Sequence, residues 1–149
     1  MKKKIITLAA AFVLTTNLMF ANTDKSQIPE SVVFAFSSSF SHVRDVRWEN
    51  FGSYFKASFI QKGKTMYAFY SDNADFMGVA KNILSDRLPD LLQAGIKNKY
   101  PGYWITDLVN YQVGGKDGFL ITLENADEKM ELKTEDNQHW RVYSKENKG

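Results

Sequence analysis

The chain has 149 residues, with 19 Lys and Arg against 17 Asp and Glu, and it contains no cysteine. The missing thiols exclude disulfide staples, cysteine nucleophiles and thiolate metal sites. The near-neutral balance excludes the clustered cationic footprint that a nucleic-acid backbone needs, and equally simple electrostatic attachment to anionic lipid.

The first segment reads as an address. Lys2, Lys3 and Lys4 precede an apolar run from Ile5 to Phe20, broken by Thr7, Thr15, Thr16 and Asn17, and Ala21 offers a small residue for cleavage. This pattern predicts a secretory signal peptide over residues 1–21. A membrane anchor would want roughly 20 continuous apolar residues, which this run lacks. No cysteine follows it, so a lipid-anchored mature N-terminus is excluded. The expected location is periplasmic or secreted, with no membrane insertion after cleavage. The remaining 128 residues hold 16 basic and 17 acidic side chains, net −1, so the apparent basicity belongs to the signal. A chain of that size fits one domain that buries roughly 70% of its unfolded surface, enough to fold without staples.

Next comes a short tail, residues 22–27, and then the first of two helix starts. Ile28-Pro29-Glu30 matches Leu88-Pro89-Asp90 sixty positions on. At the same offset Val32 falls on Leu92, Ala35 on Gly95, Phe36 on Ile96 and Phe40 on Tyr100. Proline followed by an acid, then apolar residues at spacings of three and four, predicts a short helix with proline at its first position. The second helix should stop before Pro101.

After each helix the period changes to two. Val46 and Trp48 alternate with Arg47 and Glu49; Phe55, Ala57 and Phe59 alternate with Tyr54, Lys56 and Ser58; a Lys62-Gly63-Lys64 turn leads to Met66, Ala68 and Tyr70. In the second unit the strand residues are Ile105 and Val109, then Phe119, Ile121 and Leu123, then Met130 and Leu132, then Trp140 and Val142. Such alternation predicts half-buried antiparallel strands. The offset is now sixty-four, Phe55 meeting Phe119 and Asp72-Asn73 meeting Asp136-Asn137, and a longer hairpin around Gly114–Gly118 accounts for the drift. The fold expected is α+β: two tandem helix-plus-antiparallel-strand repeats, residues 28–84 and 85–144, forming one sheet with both helices on one face, and a C-terminal tail at 145–149.

Pro29-x-x-Val32 in a helix ending at Phe40, Val46-x-Trp48, the strand opened by Tyr54, the Asp-Asn turn and the stretch from Leu88-Pro89 to Tyr100-Pro101 carry a resemblance. The chain resembles the PepSY-like, β-lactamase-inhibitor-like secreted domains over about residues 28–144. These motifs are structural rather than chemical. The resemblance implies one shared antiparallel sheet with both helices on one face, and in the inhibitor namesake the opposite, concave face grips a partner enzyme. The turn glycine common after the third strand is absent here. Asp72-Asn73-Ala74-Asp75 and Asp136-Asn137-Gln138 stand in its place, and asparagine tolerates left-handed geometry.

No catalytic set emerges. The two histidines, His42 and His139, each lack a neighbouring His or Cys, and zinc needs three or four converging N or S ligands. The acidic runs at Asp72–Asp75 and Glu135–Asn137 lack the spacing of a calcium loop and read as Asx turns. There is no Gly-x-Ser-x-Gly, and no phosphate-cradling glycine loop before a helix. The chain is expected to be no enzyme, with no cofactor and no metal.

Alternation places Tyr54, Lys56, Thr65, Tyr67 and Phe69 opposite the core face, while the equivalent positions in the second unit are Gly118, Lys129, Glu131 and Lys133. One half of the outer sheet should thus be aromatic and exposed, the other charged. Exposed contiguous aromatics mark interaction surfaces, so these five residues are the candidate partner-binding set. The reading is an exported, non-catalytic protein-binding or inhibitor-type module for an envelope or secreted protein. The alternatives are a small-ligand or envelope-polymer binding domain, and self-association. Tyr103 and Trp104 form a second aromatic candidate, read as closing the core beneath the second helix.

Overall fold

A computed structural model describes residues 27–149. The signal peptide expected over residues 1–21, and residues 22–26 of the tail, lie outside the described part. Helix α1 spans Glu30–Ser39 and helix α2 spans Asp90–Lys99. Each begins one residue after its proline rather than on it. Pro29 and Pro89 have ψ of 139° and 143°, so they are N-caps whose carbonyls accept from the amides three and four residues on. Glu30 and Asp90 then sit in the first turn, against the positive helix end. Ser37, Ser38 and Ser39 donate back to the carbonyls of Val33, Phe34 and Ala35, the polar side of α1.

Between and after the helices run eight strands: β1 (Arg44–Asn50), β2 (Tyr54–Gln61), β3 (Lys64–Ser71), β4 (Phe76–Asn82), β5 (Trp104–Val113), β6 (Lys116–Glu124), β7 (Glu128–Thr134) and β8 (Arg141–Asn147). They form one antiparallel sheet in sequential order. Strand β4 has no counterpart among the strands read from alternation. Its Phe76-Met77-Gly78-Val79-Ala80 stretch does not alternate apolar with polar residues, and pairing on both sides makes it a strand. The β5–β6 hairpin is longer than β1–β2, which carries Tyr111 and Val113 out beside β4.

Both helices pack on one face. Val32 and Phe36 of α1 meet Trp48, Phe55, Ala57, Phe59, Ala68 and Tyr70. Leu92 of α2, with Leu88, meets Leu108, Ile121, Leu123, Met130 and Leu132. The pairing Ala57–Ala68–Val79–Gln112 runs across β2 to β5, and Gln112 shares its side of β5 with Leu108, so the two cores are on the same side. Trp140 closes the second core: its indole N–H donates to the Leu92 carbonyl at 2.9 Å, lying across Gly95. A Trp140→Phe variant should therefore lose about 1 kcal/mol in urea unfolding, the worth of one hydrogen bond.

Two further details differ from expectation. In the first acidic turn the left-handed residue is Ala74 (φ 66°), not Asn73, whereas in the second it is Asn137 (φ 57°). Ala74 is held there because Ser71 ties the turn, its backbone N–H bonding Asp75 and its hydroxyl accepting from the Asn73 and Asp75 amides. At the free edge, β1 is bulged between Arg44 and Arg47, with Asp45 at φ 54°. Bulges and charges of this kind discourage edge-to-edge pairing.

Candidate functional site

The second face of the sheet receives neither helix. Register places all five predicted residues on it: Lys56 opposite Phe69, Tyr67 opposite Ser58, Thr65 opposite Ile60, and Tyr54 beyond Lys56 on the same side of β2. Their expected exposure is corrected. Thr65 is exposed and Tyr67 half-buried, but Tyr54, Lys56 and Phe69 are only 8%, 6% and 1% exposed. Lateral neighbours are the first reason. Ala80 of β4, Val109, Tyr111 and Val113 of β5 and Leu120 of β6 join Tyr54 and Phe69 in a third apolar cluster.

Curvature is the second reason. Neither helix covers this face, yet Phe69, Thr122, Glu131 and Lys129 on it are only 1%, 2%, 3% and 6% exposed, which a flat open sheet would not allow, so the sheet curls and this face is concave. Burial first, then Glu49 and Tyr143, raises the pKa of the Tyr54 hydroxyl. Two glycines permit the close backbone approach. Gly78 has φ 144°, and a Cβ there would sit 2.1 Å from the Gln112 carbonyl oxygen; one on Gly118 would sit 1.9 Å from that of Thr134. The Tyr111 hydroxyl, 2.8 Å from the same position, donates to the Thr134 carbonyl.

Charged and polar groups are arranged along the concave face. Lys56 pairs with Glu49 across the β1–β2 ladder at 2.5 Å, and its ammonium lies 5.5 Å from the Phe51 ring and 5.7 Å from Tyr67. Phe51 stacks on Tyr54 at 4.8 Å. The Tyr67 hydroxyl donates to Asn82 (3.0 Å), whose amide donates to Asp107 (2.6 Å), and the Leu108 N–H donates to the same carboxylate oxygen. Burial pushes the Tyr67 hydroxyl up to about 12, with Asp107 and Glu49 adding to it. Burial likewise raises Asp107 above the ordinary aspartate range, against the pull of Asn82, Leu108, Lys129 and Lys56.

In the second half, Lys129 and Glu131 do lie on this face, but they are 6% and 3% exposed, not the open charged surface expected. Lys133 sits over Tyr111 at 5.3 Å and Tyr143 at 5.9 Å and pairs with Glu135 at 3.2 Å. Asp107, Asn82 and Ser144 were not legible as site residues. Simple alternation would keep Ile105, Asp107 and Val109 on one side, but the bulge between Ile105 and Asp107 leaves Ile105 opposite Leu123 on the helix side and turns Asp107 and Val109 to the concave side. A sequence carries no strong mark of such a bulge.

A raised folded pKa on an acid means the charged form is less favoured in the folded than in the unfolded chain. The cost is absent below the unfolded pKa and grows as pH rises through the folded one. An Asp107→Asn variant, which keeps the acceptor for Asn82, should melt higher than the parent at neutral pH. The difference should vanish near pH 3, about a unit below the reference aspartate value. Equal melting temperatures at both pH values would contradict this reading.

Among the described residues no three His, Cys, Asp or Glu side chains converge as a metal set. His139 is exposed and contacts Asp136, whose carboxylate also caps the Gln138 and His139 amides and is held well below the usual range, first by His139. Tyr103 is half-buried, against Tyr100 and hydrogen-bonded to Glu128, as core closure requires; Trp104 is 51% exposed beneath the Lys148 ammonium. A groove of about 490 Å³ lies between α1 and β1, lined by Phe36, Phe40, His42, Asp45 and Trp48 among others. None of the five predicted residues borders it.

No protein-family model and no curated protein matches the chain. Solved structures do. A DUF2874 family protein from Bacteroides uniformis superposes with a TM-score of 0.68 at 15% identity, over 80% of this chain and 89% of the other. A Bacteroides eggerthii protein, provisionally described as periplasmic, gives 0.68 at 14% identity over 80% and 88%. A BLIP-like protein from Bacteroides fragilis gives 0.63 at 16% identity over 84% and 91%. At these identities the likeness establishes the fold, an α+β, BLIP-like antiparallel sheet with two helices. No helix among the described residues is long and apolar enough to cross a membrane.

Proposed function

We propose that the chain is an exported, non-catalytic binding module that takes a protein partner on the concave face of its sheet. The observation that carries this reading is that concave face itself. It receives neither helix, and its charged and aromatic groups are held in place by one another before any partner arrives. Preorganised polar groups with aromatic anchors are what interfaces use to gain affinity without ordering cost. The anchors a partner would meet first are at the rim: Phe51 and Tyr143, each 36% exposed, and Thr65. The buried residues Tyr54, Lys56 and Phe69, with the half-buried Tyr67, support that rim from below. BLIP-like and periplasmic descriptions of structural neighbours are consistent with an envelope or secreted partner.

We take the two helix-then-four-strand halves as tandem copies of one unit, related to PepSY-like domains. We take the protein to act without catalysis, cofactor or metal, after removal of residues 1–21.

The test is capture from envelope extract by the purified protein, beside a Phe51→Ser/Tyr143→Ser variant that should stay folded because both side chains reach solvent. A protein held by the parent and lost by the folded variant supports the reading. Capture of the same protein by both places the interface elsewhere. Capture of none directs attention to small ligands, and a sedimentation experiment would then examine self-association.

A further inference from the structure

One row of the concave face is polar in four successive strands. Asp107 of β5 pairs with Thr122 of β6, Thr122 with Glu131 of β7, and Glu131 with Ser144 of β8. The two carboxylates are therefore two strand spacings apart, about 10 Å between backbones, and the curl of the sheet brings their side chains closer. Both are oriented from outside the row or along it. Asp107 is fixed by the Asn82 amide and the Leu108 N–H, and one oxygen of Glu131 accepts from the Ser144 hydroxyl at 2.9 Å. The other oxygen, Oε1, is buried and has no hydrogen-bond donor.

A buried carboxylate oxygen without a donor is costly and rare, and one that persists in a native fold calls for a functional explanation. Lys129, two residues away on the same strand and face, does not supply the donor. No hydrogen bond or ion pair joins it to Glu131 among the described residues. Lys56 is engaged by Glu49, and Lys133 by Glu135. These two cations are thus directed elsewhere. Around the row stand Tyr67, Tyr111 and Tyr143, whose ring faces already hold lysine ammonium groups at 5.3–5.9 Å. Such faces favour a cation.

We infer that Glu131, with Asp107 beside it, is the subsite for a basic side chain of the partner polypeptide, a guanidinium or ammonium that donates to the open Glu131 oxygen. This rests on the concave face being the binding face. Glu131 is 3% exposed, so the incoming cation reaches it as side chains of the concave face move aside. Charge selects the guest: a neutral donor of the same shape would leave the buried Glu131 carboxylate without an opposite charge.

The experiment is an amide-resonance titration of the purified protein with the blocked tripeptide Gly-Arg-Gly, its citrulline counterpart, and free agmatine. The arginine peptide should shift the resonances of Asp107, Thr122, Glu131 and Ser144 while the citrulline peptide leaves them in place. Glu131→Gln should weaken the arginine peptide at least about tenfold, the worth of one charge-assisted hydrogen bond, and Ser144→Ala should weaken it less. Should Glu131→Gln fail to fold, the shift map of the parent still decides. Absence of shifts at millimolar peptide, or equal binding of the citrulline peptide, overturns the inference, and tighter binding of agmatine than of the peptide overturns the polypeptide source. Capture of an envelope partner by Glu131→Gln as by the parent, with loss in the Phe51/Tyr143 variant, would overturn this subsite and leave the binding face standing.

Discussion

Replacing Phe69 by threonine is expected to cost about 3–5 kcal/mol of stability, the range for deleting a large buried aromatic. Phe69 is 1% exposed and is gripped from three strands: by Tyr54 on β2, by Ala80 on β4, and by Tyr111 and Val113 on β5. Its ring centroid lies 6.3 Å from that of Tyr54, a tilted pair that adds to the burial energy. The substitution also places a hydroxyl in a largely apolar cluster, which adds a desolvation cost. A urea titration reads the loss as a lower midpoint with an unchanged slope. A shift worth less than about 1 kcal/mol would mean that the concave face is not a second core and that Phe69 is a surface residue after all.

The second large effect is expected at Gly118. An added Cβ would stand 1.9 Å from the Thr134 carbonyl oxygen and 2.8 Å from the Tyr111 hydroxyl. The tyrosine could swing away, but the carbonyl belongs to the adjacent strand of the ladder and cannot move without breaking pairing between β6 and β7. Gly118→Ala should therefore cost about 3 kcal/mol, the upper end of ordinary overpacking. Gly95→Ala is the informative contrast. There the nearest atom is Trp140 Cδ1 at 3.2 Å, the edge of a side chain, and alanine also raises helix propensity by up to about 1 kcal/mol. If both variants melted alike, the close approach at Gly118 would not be what bends the sheet.

Phe69 marks the point at which local pattern stops being informative. It alternates on the side opposite the helices, as its position in the Tyr67-Ala68-Phe69-Tyr70 run implies, and the structure agrees. What alternation cannot tell is whether that side is open. Strand β4 closes it, and the glycine and unbroken apolar run of β4 carry no period-2 signal. The β5–β6 hairpin, distant in the chain, completes the cover by pairing along the far edge of β4. Asp107 escapes local reading for a related reason. One bulged residue exchanges the faces of a strand, and the Ile105-Thr106-Asp107 stretch carries no mark of it.

Local chemistry determined a good deal by itself. Proline followed by an acid set the start of both helices, since proline cannot donate and the acid complements the helix end. Period-2 patterning set seven of the eight strands, and their two faces except where the bulge in β5 exchanges them, because side chains in a strand must alternate. The absence of cysteine and of convergent ligand motifs bounded the chemistry. Tertiary structure alone decided the curl of the sheet, the burial of Tyr54, Lys56 and Phe69, and the row that joins Asp107 to Ser144 across four strands. The physical reason is range. A helix cap or a strand's alternation is settled within a few residues, whereas the shape of an eight-stranded face is the sum of seven pairings, each bent by contacts that no single segment contains.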